Sequence, residues 1–233
     1  AIVQGSEILY CNAYGVTSVD SGQPLTTDTL FDLASLTKSF TALGVLLMED
    51  SGLIDIDQPL QKYLPDFQIA DARGADITTR HLLNQTSGLP QLPGMIGLTN
   101  FSSRPDEVER QVRDLSTLEI SRPPGAKFEY CNVNFNILGL VIEAVSGETY
   151  AGYIQQHIFD PLGMGDTAFF LDPAKRDRLS GLRNPITQEA AVPGSPVYHR
   201  RTGAVTAPPQ TRLGLKACQP DPRGVPCRRR RKP

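Results

Sequence analysis

The sequence predicts a mixed fold in which strands lead and helices come after. Three observations carry this. Strand-like residues gather at 2–18, apolar segments with helical start and stop signals fill most of the chain from Ser35 to Phe159, and no internal repeat interrupts the series. Residues 2–18 read as a β-hairpin: Glu7-Ile8-Leu9-Tyr10-Cys11 is strand-like, a turn is expected around Asn12 to Gly15, and further strand-like residues come next. Ser35 to Ser51 reads as a helix with Leu43, Leu46 and Leu47 turned inward and Gly52 as its C-terminal stop. Asp57-Gln58-Pro59 starts a short helix to Tyr63. Thr78 or Thr79 caps another that runs through Asn84, because a threonine hydroxyl can accept from an orphaned N–H of the first turn. Ser103 caps a helix from near Pro105 to Leu115, where proline is tolerated in the first turn. Asn132 to Val145 and Tyr150 to Phe159 are two more helices, separated by Gly147.

With 233 residues, 39% of them hydrophobic, the chain can form one large domain or two small ones around an adequate core. Its net charge of −2 conceals an asymmetry. Residues 190–233 hold ten Lys/Arg, a single acid (Asp221) and eight of the 19 prolines, so they carry +9 and residues 1–189 carry −11. The tail ends Arg228-Arg229-Arg230-Arg231-Lys232 and shows no sustained apolar period. Such a composition buries little surface and reads as unpacked. It fits a solvated tail, a non-native end from a shifted reading frame, or an anionic-surface binder. No aromatic platform accompanies the charge, so no nucleic-acid partner is expected. No signal peptide is expected ahead of the first strand, as a mature secreted chain would also lack one, and no apolar run approaches the ~20 residues that span a bilayer. These residues do not fix a compartment or an oligomeric state. Cys11, Cys131, Cys218 and Cys227 form no C-x-x-C pair, and His81, His157 and His199 lack ligand spacing, so no metal site is expected. His81, beside Leu82 and Leu83, reads as a structural residue.

Ser35-Leu36-Thr37-Lys38 carries the chemistry. Positions i and i+3 share a helix face, so Lys38 can lie beside the Ser35 hydroxyl. A serine hydroxyl is a poor nucleophile until a base takes its proton, and a desolvated lysine can serve. S-x-x-K also arises by chance in many helices. Tyr130-Cys131-Asn132 comes after the turn Pro123-Pro124-Gly125 and precedes an apolar helical run. Tyr130 can shuttle a proton if a nearby cation lowers its pKa. Asn132 can hold a substrate carbonyl or the lysine ammonium. The plainer alternatives are a surface aromatic and a helix N-cap, a position asparagine suits.

Phe31-Asp32-Leu33-Ala34-Ser35-Leu36-Thr37-Lys38 resembles the nucleophile segment of the serine β-lactamase and penicillin-binding-protein superfamily, in its class C β-lactamase-like branch of D-Ala-D-Ala carboxypeptidases and esterases. Gly52-Leu53-Ile54-Asp55 and Tyr63-Leu64-Pro65-Asp66 resemble the helix end and loop next in that family. His81-Leu82-Leu83-Asn84-Gln85-Thr86-Ser87-Gly88-Leu89-Pro90, the segment from Pro124-Gly125 through Gly147, and Ile158-Phe159-Asp160-Pro161-Leu162-Gly163-Met164 agree in order and spacing. The resemblance covers residues 2 to 171. Three departures stand out. Gln85 replaces a common His and is expected to be structural, with little catalytic effect. Cys131 replaces a Ser or Gly. The third motif of the family, Lys/His-Thr/Ser-Gly on a strand lining the site, has only Arg201-Thr202-Gly203 as a counterpart, close after Tyr130 and soon succeeded by Pro208-Pro209.

The resemblance implies a β-lactamase/transpeptidase-like α+β fold, a helical region against an antiparallel sheet, with the site between them. The later strands are not recognisable, so the sheet is expected to be incomplete. Residues 1–183 are then a partial serine hydrolase region and 184–233 the basic Pro/Arg-rich tail. The resemblance also implies attack by Ser35 on an amide or ester (a β-lactam, a D-Ala-D-Ala peptide or a small ester) to give an acyl-enzyme. Lys38 and Tyr130 would handle protons and Asn132 would orient a small-molecule or peptide substrate. No metal or organic cofactor is implied. The alternative is a catalytically silent homologue or fragment that lacks the third motif.

Overall fold

The computed structural model describes residues 1–90, 107–170, 172–183, 190–191 and 205–206. Its strands are β1 Ile2–Gln4, β2 Glu7–Tyr10, β3 Phe31–Asp32, β4 Leu182–Arg183, β5 Ala190–Ala191 and β6 Val205–Thr206. Its α-helices are α1 Thr37–Asp50, α2 Thr79–Leu83, α3 Glu107–Asp114, α4 Asn132–Ser146 and α5 Tyr150–Ile154. The strands pair as three two-stranded antiparallel sheets, β1 with β2, β3 with β6 and β4 with β5. The chain is α+β, with the helices gathered around one core.

That core is built on α4. Val133, Phe135, Ile137, Leu138, Val141 and Ile142 are all buried, and α4 packs on α1, α2, α3 and α5. Each such side chain adds about 1.5–3 kcal/mol when taken out of water, so this helix dominates the burial. A second layer is aromatic. Phe40 meets Phe159 edge-on at 5.1 Å, and Tyr150 meets Phe169 at 5.0 Å. The Tyr150 hydroxyl, inside this layer, lies 2.7 Å from Thr41 Oγ1.

Several expectations shift. The first hairpin turns at Gly5-Ser6, not at Asn12 to Gly15: Val3 faces Ile8 and Gln4 faces Glu7. Gly5 has φ +59°, the left-handed geometry that a two-residue hairpin loop demands and a glycine accepts freely. The helix expected from Ser35 begins at Thr37, after a 3-10 turn over Ala34–Leu36. Leu43 and Leu46 point to solvent, at 40% and 44% exposure, and Leu47 is partly buried. The buried face of α1 is instead Thr37, Thr41, Gly44, Val45 and Met48. A Cβ at Gly44 would stand 2.8 Å from Ile154 Cδ1, so this face is small because α4 and α5 come so close. Leucine content pointed to the wrong stripe.

Other elements agree. Leu60–Lys62 forms a 3-10 turn ahead of Tyr63. The Thr78 side chain accepts from the His81 N–H, and His81 Nδ1 in turn accepts from the Thr78 N–H, so His81 completes a cap on α2. Ser103 and Pro105 lie outside the described residues, and α3 ends in a 3-10 turn over Leu115–Thr117. The segment at 150–159 is helical throughout but opens into a π-turn at Gln155–Phe159. Of residues 184–233, Ala190–Ala191 and Val205–Thr206 are described, both in strand pairs, and the rest lie outside the described residues.

The stretch before Ser35 is tied to a distant segment. The Leu30 N–H donates to the Arg178 carbonyl at 2.7 Å, and Ser180 N–H to the Leu30 carbonyl at 2.8 Å. Arg178 itself forks onto Asp166 at 2.8 and 3.1 Å, and Lys175 reaches the same carboxylate at 3.0 Å. Hydrogen bonds from Arg178, then from Lys175, outweigh partial burial and hold the Asp166 carboxyl at about 2. A carboxyl depressed on folding contributes stability above its unfolded pKa and loses it as pH falls toward the folded value. Asp166→Asn should therefore melt below the parent at pH 6, with the two melting temperatures converging by pH 2. A gap of equal size at both pH values would rule out this role.

Candidate active site

Ser35 is presented by a strained turn. Asp32 Oδ1 accepts from the Ala34 N–H at 2.9 Å, turning the chain out of β3. Ala34 then takes φ +44°, a region that costs a residue with a Cβ on the order of 1 kcal/mol or more. The 3-10 turn over Ala34–Leu36 sets Ser35 at the threshold of α1, with Lys38 in the first turn of that helix. Tyr130 and Asn132 arrive from the other side. They flank Cys131, the N-cap of α4, whose backbone is extended at φ −141° and ψ 121°. Packing of α1 on α4 closes the gap between these two helix starts.

The four side chains meet. Ser35 Oγ lies 2.9 Å from the Tyr130 hydroxyl. Lys38 Nζ donates to Ser35 Oγ at 3.3 Å and to Asn132 Oδ1 at 2.8 Å. The Tyr130 hydroxyl donates to the same Asn132 oxygen at 3.0 Å. Lysine has no acceptor as an ammonium, so the oxygen end of the Asn132 amide is the one that faces it. Asn132 makes no N-terminal cap; it sits one residue inside α4, and Cys131 caps without its side chain. Of the two partners named for its amide, the structure gives it the lysine. Lys38 Nζ also stands 5.1 Å from the Tyr130 ring centre and 5.7 Å from that of Phe135.

Two titrating groups are perturbed. Burial pushes the Tyr130 phenol up, but hydrogen bonds with Lys38 and Ser35 and the charge of Lys38 outweigh it, so the phenol stands below its ordinary value. Burial pushes the Cys131 thiol up. That thiol stands 3.5 Å from the Pro90 carbonyl.

All four residues singled out from the sequence lie in one cluster. Sequence reasoning missed how Tyr130 and Asn132 are held. The Gln85 carbonyl accepts from Glu129 N–H at 2.7 Å, and Gln85 Oε1 accepts from Cys131 N–H at 2.9 Å and from Asn134 Nδ2 at 2.6 Å. Its position just past the expected end of α2, where glycine is the residue of least cost, was the available signal. Arg201-Thr202-Gly203 lies outside the described residues. Two residues on, Val205–Thr206 pairs with Phe31–Asp32, a strand that no apolar alternation announces. Among the described residues, no group of three or more His, Cys, Asp or Glu is placed to hold a metal ion, and no helix is long and apolar enough to cross a membrane.

Residues 1–217 match the family model described as Beta-lactamase. The chain is 35% identical over 183 residues to penicillin-binding protein 4* of Bacillus subtilis, covering 76% of this chain and 39% of that protein. It is 33% identical over 179 residues to the esterase EstB of Burkholderia gladioli, covering 72% of this chain and 45% of the esterase. The D-amino acid amidase of Ochrobactrum anthropi superposes with a TM-score of 0.68 at 27% identity, over 84% of this chain and 56% of the amidase. The chain thus spans less than half the length of the first two.

The Tyr130 phenol should titrate below the ordinary value of about 10. Lys38→Met removes the charge and a hydrogen-bond partner and should move that titration upward. Tyrosine ring-carbon NMR with the Tyr130→Phe spectrum as reference reads both. A parental phenol at or above 10 would contradict the electrostatic picture.

Proposed function

This chain belongs to the β-lactamase family, and from that premise we propose that it is a serine hydrolase acting on an amide or ester through an acyl-enzyme. One observation carries the reading: Ser35, Lys38, Tyr130 and Asn132 converge from two helix starts within hydrogen-bonding distance. The names of the penicillin-binding protein, the esterase and the amidase support an acyl-transfer chemistry of this class. The substrates proposed are a β-lactam, a D-Ala-D-Ala peptide or a small ester.

In this reading the Oγ–H bond of Ser35 breaks as Oγ bonds the carbonyl carbon. The Lys38–Tyr130 pair takes the proton as one coupled unit. Tyr130, the nearer group at 2.9 Å, passes it to the leaving nitrogen or oxygen when the tetrahedral intermediate collapses. Water repeats the sequence to free the acid. The Asn132 oxygen holds Lys38 in register, and its NH2 end is the part able to donate to a substrate carbonyl. The Ser35 backbone N–H supplies one oxyanion donor, a group of a kind worth about 3 kcal/mol. In this reading the residues that carry the chemistry all lie within 1–183.

A fluorescent phosphonate and a fluorescent penicillin test the proposal. Ser35→Ala should abolish covalent labelling, and Lys38→Ala should do the same with the fold intact by circular dichroism. Tyr130→Phe should slow labelling by about 10²–10⁴-fold. A parent that takes neither label would favour the alternative, a silent homologue that binds without turnover. A Lys38→Ala variant labelled at the parental rate would remove lysine from the mechanism.

A further inference from the structure

We propose that Gln85 is a positioning residue that sets the Tyr130 hydroxyl and the Asn132 side chain against Ser35 and Lys38. The proposal rests on the reading that those four residues do the chemistry, and it departs from the expectation that Gln85 has little catalytic effect. Three hydrogen bonds run from this one residue onto the stretch 129–134. Its carbonyl takes Glu129 N–H at 2.7 Å, and its side-chain oxygen takes Cys131 N–H at 2.9 Å and Asn134 Nδ2 at 2.6 Å. Both lone pairs of Oε1 are thereby used. The Cys131 N–H belongs to the Tyr130–Cys131 peptide, one residue ahead of Asn132, so a shift there moves both side chains together.

The backbone of Gln85 adds weight. It has φ +59° and is 6% exposed, just past the end of α2, where glycine is the residue of least cost. A glutamine there accepts strain and buries an amide, and the bonds to the 129–134 stretch are what offset both. Asn134 is oriented in turn: its oxygen accepts from Ser87 Oγ at 2.7 Å, which leaves its NH2 for Gln85. The neutral amide also offers two acceptor sites without placing a negative charge near Lys38. Geometry at a reacting centre is steep, with about 10²-fold lost for a 1 Å misplacement.

A purely structural glutamine would make the same bonds, so the test must separate the two. Gln85→Leu removes the acceptor and leaves the Cys131 and Asn134 donors unsatisfied. Gln85→His keeps one acceptor nitrogen. Ser87→Ala disturbs the same polar cluster without touching the Cys131 N–H. Each is read for folding by thermal melt, for the saturating rate of phosphonate labelling, and for the Tyr130 titration by NMR without any substrate. Gln85→Leu should lose about 100-fold in saturating rate, with the phenol moving up toward its ordinary value. Gln85→His should recover at least part of both, and Ser87→Ala, which loosens Asn134 but leaves the Cys131 N–H bonded, should lose less of both than Gln85→Leu. A folded Gln85→Leu with parental rate and titration would overturn the proposal. So would equal losses in Gln85→Leu and Ser87→Ala with the Tyr130 titration unmoved. Should Gln85→Leu fail to fold, Gln85→His is judged by the same two readouts. If the parent takes no label but Gln85→Leu still moves the phenol, the positioning role stands and the hydrolase reading falls. If the parent is labelled and the phenol does not move, the positioning role alone falls.

Discussion

Helices α1 and α4 meet across a face of small and β-branched side chains, and this contact sets how far Ser35 stands from Tyr130 and Asn132. The magnitudes say which interaction governs. Val133, Ile137, Leu138, Val141 and Ile142 are fully buried on α4, and each contributes about 1.5–3 kcal/mol by leaving water. The hydrogen bonds that join the two helix starts return only about 1 kcal/mol each once their competition with water is counted. The polar cluster therefore does not hold the helices together. The helices hold the polar cluster, and their spacing is settled by Gly44 and its neighbours before any hydroxyl is placed.

A second layer of constraint is polar and equally buried. Gln85, Ser87 and Asn134 sit inside the protein and bond one another, so the stretch 85–90 and the stretch 129–134 form a seam behind the site. Leaving one of these donors unsatisfied costs more than its bond returns, which makes the seam cooperative. In front of it lies the strained Ala34, with an Asp32 turn on one side and the first turn of α1 on the other. Strain at Ala34 falls on the segment that delivers Ser35 and is held by the nearby Asp32 carboxylate, whereas strain at Gln85 falls behind the segment that delivers Tyr130 and Asn132 and is held by bonds to residues 129–134.

Legibility in the sequence depended on how local each signal was. The i, i+3 relation of Ser35 and Lys38 needs only helical geometry. The Thr78 cap needs only a hydroxyl before a helix, and the α4 span needs only its apolar period and Gly147. The errors come where a neighbour decides. Leu43 and Leu46 are strongly apolar, but α4 and α5 approach so closely that Thr41, Gly44 and Val45 take the inner face. Asn132 is an excellent cap by composition, and it is drawn off by Lys38 across 94 residues. The pairing of Val205–Thr206 with Phe31–Asp32 uses backbone groups alone, which leave no trace in side-chain pattern.

Ser35 and Tyr130 stand 95 residues apart along the chain. Closing a loop of that length costs about 4 kcal/mol of chain entropy beyond a constant term, by the logarithmic law for flexible loops. Two or three surface-grade hydrogen bonds cannot recover that, so the cluster has no means of assembling ahead of the core. It is a product of complete folding and shares its cooperativity. The order of synthesis has the same consequence. A growing chain exposes Ser35 and Lys38 long before α4 exists, and through that interval the serine lacks the tyrosine and the asparagine oxygen that make it different from any other surface hydroxyl.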